Sequence, residues 1–420
     1  MKNQTPFILI YLFGTLTIFL GMYLNEFSGG GAEYDFNIHL NTIKYFDAGI
    51  IDALKNYGDM ENMHSPIFII FLKYLIYYDL TWARILYIII CSTSSIVFYL
   101  CLKEKLNSKP SLILFCLAQL LFVSPYFRSL TIWPGDESLS ILFLLLSILF
   151  YFKFEKNKFN NKKFIYLSLN VFLLAICSYF RPTYSFFSIF FFYKIVLINF
   201  DKEKFLNYFL LSLFLALPAI YYFFIMKVDF YSNYRQDYNP ANILIFISTI
   251  FFFYLIPFLY SYKAKPIFNK LNLILSILFF LIVFLFFSYT FNYDGKSIEI
   301  LSGGGIFYRI NRIFFDNNIF FILFGTLTFY LCIFYLELSK FNNFILVFVL
   351  FFFEIDNYFY QETYDPLLLI CYLLLFNIKI INSYLKNFNL AKFNYLFIFL
   401  SLFYLLALGK NHGWFTQLII

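Results

Sequence analysis

The chain reads as an all-α polytopic membrane protein, on three observations. It is 62% hydrophobic and only 13% charged, where soluble domains average about 25% charged. Its mean hydropathy is +0.75. Its apolar residues fall in unbroken runs, without the alternation of an outer-membrane barrel strand. The 66 Phe beside many Ile, Asn and Lys read as compositional bias, so no aromatic takes a role from abundance alone.

A membrane-crossing helix needs about 20 apolar residues, sometimes about 17. Thirteen runs qualify, several of them short: 6–24, 82–102, 110–124, 137–152, 164–180, 183–198, 206–225, 241–261, 271–290, 319–336, 343–353, 366–382 and 393–409. The first is followed by no small-residue cleavage site and reads as a retained helix, not a signal peptide. The run 65–79, "SPIFIIFLKYLIYYD", opens with Ser-Pro and carries Lys73. It reads as a helix on or dipping into the membrane surface. The whole of 1–420 then forms one transmembrane domain with no appended soluble domain, and 25–81 is its first loop.

Charge orients these spans. With the N-terminus inside, 19 of the 31 Lys and Arg fall inside and 12 outside, while 19 of the 24 acids fall outside. The basic bias follows the positive-inside rule, to which acids contribute little. The excess of outer acids therefore marks the extracytoplasmic face as the working one. The localisation expected is a bacterial-type inner membrane. The net charge of +7 is topogenic and no nucleic-acid signal. The six cysteines lie in or beside apolar runs without a C-x-x-C pair, which implies neither a disulfide framework nor a zinc site. No P-loop, dinucleotide fingerprint or H-E-x-x-H occurs.

The first loop holds the densest polar chemistry, "SGGGAEYDFNIHLNTIKYFDAG" at 28–49. Phe36, Leu40, Ile43 and Phe46 recur at helical spacing, then Ile50, Ile51, Leu54 and Tyr57 after "DAG". Two short amphipathic helices at the membrane surface are expected. Glu33 and Asp35 open the first. Asp35 has the alternative role of a helix N-cap, and Asp35 with His39 one turn later has the spacing of a metal pair.

Further along come "MHSPIFIIFLKYL", a span opened by Trp-Ala-Arg, and "SPYFRSLTIWPGDESLSILFLLL". In this order the features over 6–185 resemble the GT-C class of integral-membrane glycosyltransferases, which use a polyprenyl-phosphate-linked sugar as donor. In that class a long first outer loop carries one or two acids, one of them the catalytic base. A second outer loop reads Ser-Pro, Arg, then a Pro-Asp-like pair. Here "HSPIF" stands where a double proline is common, Gly135 separates Pro134 from Asp136, and the paired loop acids are split as Glu33-Tyr34-Asp35. "YQETYDPLLLI" at 360–370 looks like a late outer loop of some members.

The resemblance implies a carboxylate general base, Asp35 or Glu33, at the membrane surface. It would take the acceptor hydroxyl's proton during an inverting displacement. Asp136 and Glu137 are either dipole-favouring acids at a helix start or a second carboxylate pair for the acceptor or a metal. His64, Gln361, Tyr364 and Asp365 are candidate sugar or lipid-phosphate contacts. A divalent metal is left open as a cofactor, and the acceptor is a lipid, a glycan or a protein. No nucleotide is expected.

Arginine usage adds to this. The six arginines, Arg84, Arg128, Arg181, Arg235, Arg309 and Arg312, all fall on or near the outer side of a lysine-rich chain. Planar bidentate recognition of phosphate is one reading, pairing with the outer acids the other. Arg128, Arg181, Arg309 and Arg312 join the candidate set, with Arg181, Arg309 or Arg312 expected beside Asp35. The competing functions are a lipid-linked saccharide transporter or flippase and an O-antigen-type polymerase. The first fits poorly with charges kept in loops, and the second usually carries its long loop late in the chain.

Overall fold

The computed structural model describes residues 5–60, 62, 64–77, 79–107, 111–157, 160–198, 201–228, 239–260, 270–293, 304–315, 317–353, 359–386 and 388–414. Among these there are helices and no strands. Arg235 lies outside the described residues. The chain divides into two compact units, 1–233 with 400–412, and 234–399 with 413–420.

Seven helices are long and apolar enough to cross a membrane, or nine if each of two bent pairs counts as one span. This range does not confirm the thirteen spans expected. Each expected run is helical, but several are too short. Residues 182–197, 274–290, 319–335 and 341–351 form shorter apolar helices. Residues 112–132 bend by 66° and 361–386 by 75°.

The first unit runs through α1 (Thr5–Tyr23), α2 (Ala32–Tyr45), α3 (Ile50–Lys55), α4 (Pro66–Ile76), α5 (Leu80–Leu106), α6 (Leu112–Ala118), α7 (Pro125–Ile132), α8 (Asp136–Lys156), α9 (Asn160–Phe180), α10 (Phe187–Phe192) and α11 (Lys202–Ile220). The second holds α12 (Pro240–Leu259), α13 (Lys270–Thr290), α14 (Gly305–Phe314), α15 (Ile319–Tyr335), α16 (Phe341–Phe351), α17 (Leu367–Leu374) and α18 (Lys379–Lys386). Helix α19 (Leu390–Asn411) contributes its first half to the second unit and its last half to the first.

In the first unit α8 is the central helix, packed against α5 and α9. Small polar residues line these faces: Ser92, Ser94 and Ser95 on α5, Ser138, Ser140 and Ser147 on α8, all buried. Small side chains let helix backbones approach closely. Asn170 of α9 donates to the Ser147 carbonyl at 3.0 Å and to its hydroxyl at 2.8 Å, tying α8 to α9. By contrast, Leu206, Leu210 and Phe214 of α11 expose 52%, 51% and 67% of their surface. A helix apolar all round and left uncovered belongs in hydrocarbon.

Both Ser-Pro pairs open a helix in the same way. Ser65 and Ser124 are N-caps, accepting from Ile67 N at 3.3 Å and Phe127 N at 3.1 Å, each with proline at the first helical position. Helix α4 has 11 residues, about 16 Å at 1.5 Å each. That is half of a bilayer core.

The second unit packs around α12, whose Asn239 N-cap accepts from Ala241 N and Asn242 N. Phe246 of α12 centres an aromatic core with Phe359, Tyr293, Phe321 and Tyr308, ring centroids 4.5, 4.7, 5.0 and 5.3 Å away.

Candidate functional site

The two short helices of the first loop form as the spacing predicts, α2 and α3, separated at Asp47-Ala48-Gly49. The buried line of α2 is Ala32, Phe36, His39 and Thr42. The predicted line ran through Leu40 and Ile43 instead. The helix is turned by about one residue, and this puts His39 inward. Helix α2 begins at Ala32 with Gly31 as its N-cap, so Asp35 sits in the first turn, its N–H bonded to the Gly31 carbonyl at 2.9 Å. The capping role considered for Asp35 is thereby corrected.

What sets α2 in place is the loop before it. A Cβ on Gly29 would lie 2.7 Å from Ser129 Cβ of α7, so only glycine allows this approach. The Ser28 hydroxyl donates to the Pro125 carbonyl at 2.9 Å.

His64 is held from three sides. Its N–H donates to Asn62 Oδ1 at 3.0 Å, its carbonyl accepts from Tyr57 at 2.8 Å, and its ring Nδ1 meets Asp136 Oδ2 at 3.2 Å. Asp136, 2% exposed, is the first residue of α8. Its other oxygen lies 3.4 Å from Arg181 Nη1, while Arg181 Nη2 is 2.6 Å from Glu137 Oε1. Arg181 stands between the end of α9 and the 3₁₀ turn that starts at Pro182. Four segments far apart in sequence thus meet at one cluster: α2, the start of α4, the start of α8 and the end of α9.

Asp35 faces this cluster. Burial, with the Asp136 charge, raises its carboxyl above the usual range, against the opposing pull of His64 and Arg181. Burial alone would lower His64, but the Asp136 charge and hydrogen bond, with Asp35, outweigh it and raise the imidazole. His39, 0% exposed, packs edge-on against the His64 ring at 4.4 Å and against Phe68 at 5.3 Å. Among the described residues, neither of its ring nitrogens has a hydrogen-bond partner. Burial, reinforced by His64, lowers it well below the usual imidazole value, so it is neutral.

Glu33 faces elsewhere. Residues two apart on a helix of 3.6 per turn point roughly 200° apart, and the cation that Glu33 acts on is Arg84 of α5. The Arg84 guanidinium lies 4.0 Å over the Trp133 ring, and its Nε donates to the Ile132 carbonyl at 2.9 Å.

Arg128 is 6% exposed and fully engaged. It forks onto Glu26, Nε to Oε1 at 2.9 Å and Nη2 to Oε2 at 2.5 Å, and reaches the Thr17 hydroxyl and the Phe122 carbonyl through Nη1 at 3.0 and 3.1 Å. Its geometry is that of a clamp joining α1, the loop at 26 and α7. The sequence reading passed over Glu26, the acid that commits it.

Arg309, Arg312, Gln361, Tyr364 and Asp365 belong to the second unit. Gln361 Oε1 accepts from Ile306 N at 3.0 Å at the start of α14, and the Tyr364 hydroxyl donates to the Leu350 carbonyl at 3.1 Å. Arg312 is exposed on α14. Arg181, in the same unit as Asp35, acts on it through its charge.

Among the described residues no group of three or more His, Cys, Asp and Glu is arranged to hold a metal ion. No family model, curated protein or solved structure matches this chain.

Proposed function

We propose that this protein is a membrane glycosyltransferase. It moves a sugar from a polyprenyl-phosphate donor to an acceptor hydroxyl. The observation that carries the reading is the gathering of Asp35, His64, Asp136, Glu137 and Arg181 from four segments into one buried, partly charged cluster. The ordered resemblance of 6–185 to GT-C enzymes supports it further.

The acceptor oxygen attacks the anomeric carbon as the acceptor proton passes to Asp35. The new C–O bond forms, the bond from the anomeric carbon to the phosphate oxygen breaks, and its electron pair leaves on the lipid phosphate. One displacement inverts the anomeric centre. A carboxylate raised above its ordinary range removes a hydroxyl proton better than an ordinary one. His64 and Arg181 secure Asp136 and Glu137, which fixes the charges around Asp35. Such preorganised charge is worth more in a water-poor site than in solution.

The Lys and Arg bias supports a cytoplasmic N-terminus and an extracytoplasmic site in a bacterial-type inner membrane. With the thirteen spans read from the sequence, a reporter fused after Ile420 is expected to be active outside; cytoplasmic activity would mean an even number of spans.

The test is transfer from a polyprenyl-phosphate sugar by the purified chain in vesicles. Asp35→Asn should abolish most of it. Outward movement of the intact donor with no bond cleavage would overturn the reading in favour of a transporter.

A further inference from the structure

We infer that Arg84 is the cation that receives the lipid phosphate of the donor, beside Glu33 and on the side of α2 away from Asp35. This rests on the transferase reading for the donor's identity, but the site itself stands on donor geometry.

A guanidinium has five N–H donors. Arg128 spends its three nitrogens on Glu26, Thr17 and Phe122. Arg181 turns both terminal nitrogens onto Asp136 and Glu137. Both are already neutralised, and a phosphate would have to displace carboxylates to reach them. Arg84 differs. Nε is its one hydrogen bond among the described residues, to the Ile132 carbonyl, and its Nη2 is buried with no partner. Glu33 acts on it electrostatically yet forms no ion pair within 4.0 Å.

The guanidinium is also preorganised. The Trp133 ring, 8% exposed, supports it at 4.0 Å, and the Trp133 indole N–H is pinned to the Glu26 carbonyl at 3.1 Å. Holding the planar fork in advance reduces the ordering lost on binding. An unpaired cation is costly near hydrocarbon, which gives an incoming phosphate a partner in need of charge. Arg84 lies in the first turn and a half of α5, among the exposed apolar residues Leu80, Trp82 and Leu86. A phosphate tethered to a lipid tail arrives from such a surface. Bulk phospholipid headgroups share this chemistry, so the experiment separates the two sources.

The chain carries three tryptophans, Trp82, Trp133 and Trp414. Trp82 and Trp414 are 63% and 64% exposed and replaceable. A Trp82→Phe/Trp414→Phe background leaves Trp133, against Arg84, as the sole reporter. Its emission is followed in detergent micelles as polyprenyl monophosphate, phosphatidylglycerol or inorganic phosphate is added. The expected result is a saturable change with polyprenyl monophosphate. It should weaken by about 10- to 100-fold in Arg84→Gln, the loss expected of charge-assisted hydrogen bonds. Arg84→Lys, which keeps the cation without the fork, should fall between. Asp35→Asn should bind as wild type while losing transfer, so failure of the base and failure of this site are read separately. An equal response to phosphatidylglycerol assigns Arg84 to bulk lipid and overturns the donor role. Wild-type binding in both Arg84 variants overturns the site altogether.

Discussion

His64 and Asp136, 72 residues apart, meet at 3.2 Å, and the same aspartate is held on its other oxygen by Arg181. One buried carboxylate thereby joins the first loop to the turn after α9. Removing one partner of a buried charge cluster leaves the others uncompensated, which costs about 3–5 kcal/mol. Asp136→Asn should therefore lower the thermal midpoint markedly. It should also lower the His64 pKa, followed by NMR of the imidazole. An unchanged midpoint would mean that the cluster does not join these segments.

Asp35 follows Gly31 in the first turn but is not its cap. Asparagine there should insert and fold normally, while transfer falls on the order of 10²–10⁴-fold, as for loss of a general base. If Asp35→Asn turns over normally and Glu33→Gln is dead, the base is Glu33.

The raised Asp35 carboxyl must be ionised to act. The acid limb of transfer rate against pH should thus lie above the ordinary Asp value of about 3.9. His64 sets the opposite dependence. Its folded pKa is raised, so its stabilisation is fully present below the unfolded value of about 6.5 and is lost as pH rises through the folded value. Denaturant midpoints should fall over that alkaline window in wild type and stay flatter in His64→Gln.

His39 is buried, and its two nitrogens have no partner among the described residues. Such groups cost about 1–3 kcal/mol, so His39→Phe, which keeps an aromatic ring against Phe68, should match or exceed wild-type stability. Destabilisation beyond about 1 kcal/mol would show that His39 makes a polar contact after all.

Gly29 admits no Cβ, because Ser129 Cβ would stand 2.7 Å away. Gly29→Ala should cost about 1–3 kcal/mol by overpacking and displace α2, lowering transfer as well. Gly30→Ala, with nothing within 4 Å, is the matched control.

The sequence by itself determined the helical class, the two short helices of the first loop and the helix that opens with Ser65-Pro66. These follow from local rules: apolar run length, 3.6-residue spacing and capping chemistry. It also pointed to Asp35, Glu33, His64, Asp136 and Arg181 as separate candidates. Only the tertiary structure decided which of them meet. The rotation of α2 by one residue, which buries His39, depends on the fit of Gly29 against Ser129 and on packing with α4 and α7. The commitment of Arg128 to Glu26 joins residues 102 apart, and no periodicity reveals such a pairing. Run length in the sequence gives thirteen spans, whereas seven helices, or nine with both bent pairs, have the length and apolarity to cross. Run length measures apolarity and does not reveal the bends of 66° at 112–132 and 75° at 361–386. The free donors of Arg84 became visible only by elimination, once the partners of the other arginines in its unit were in place.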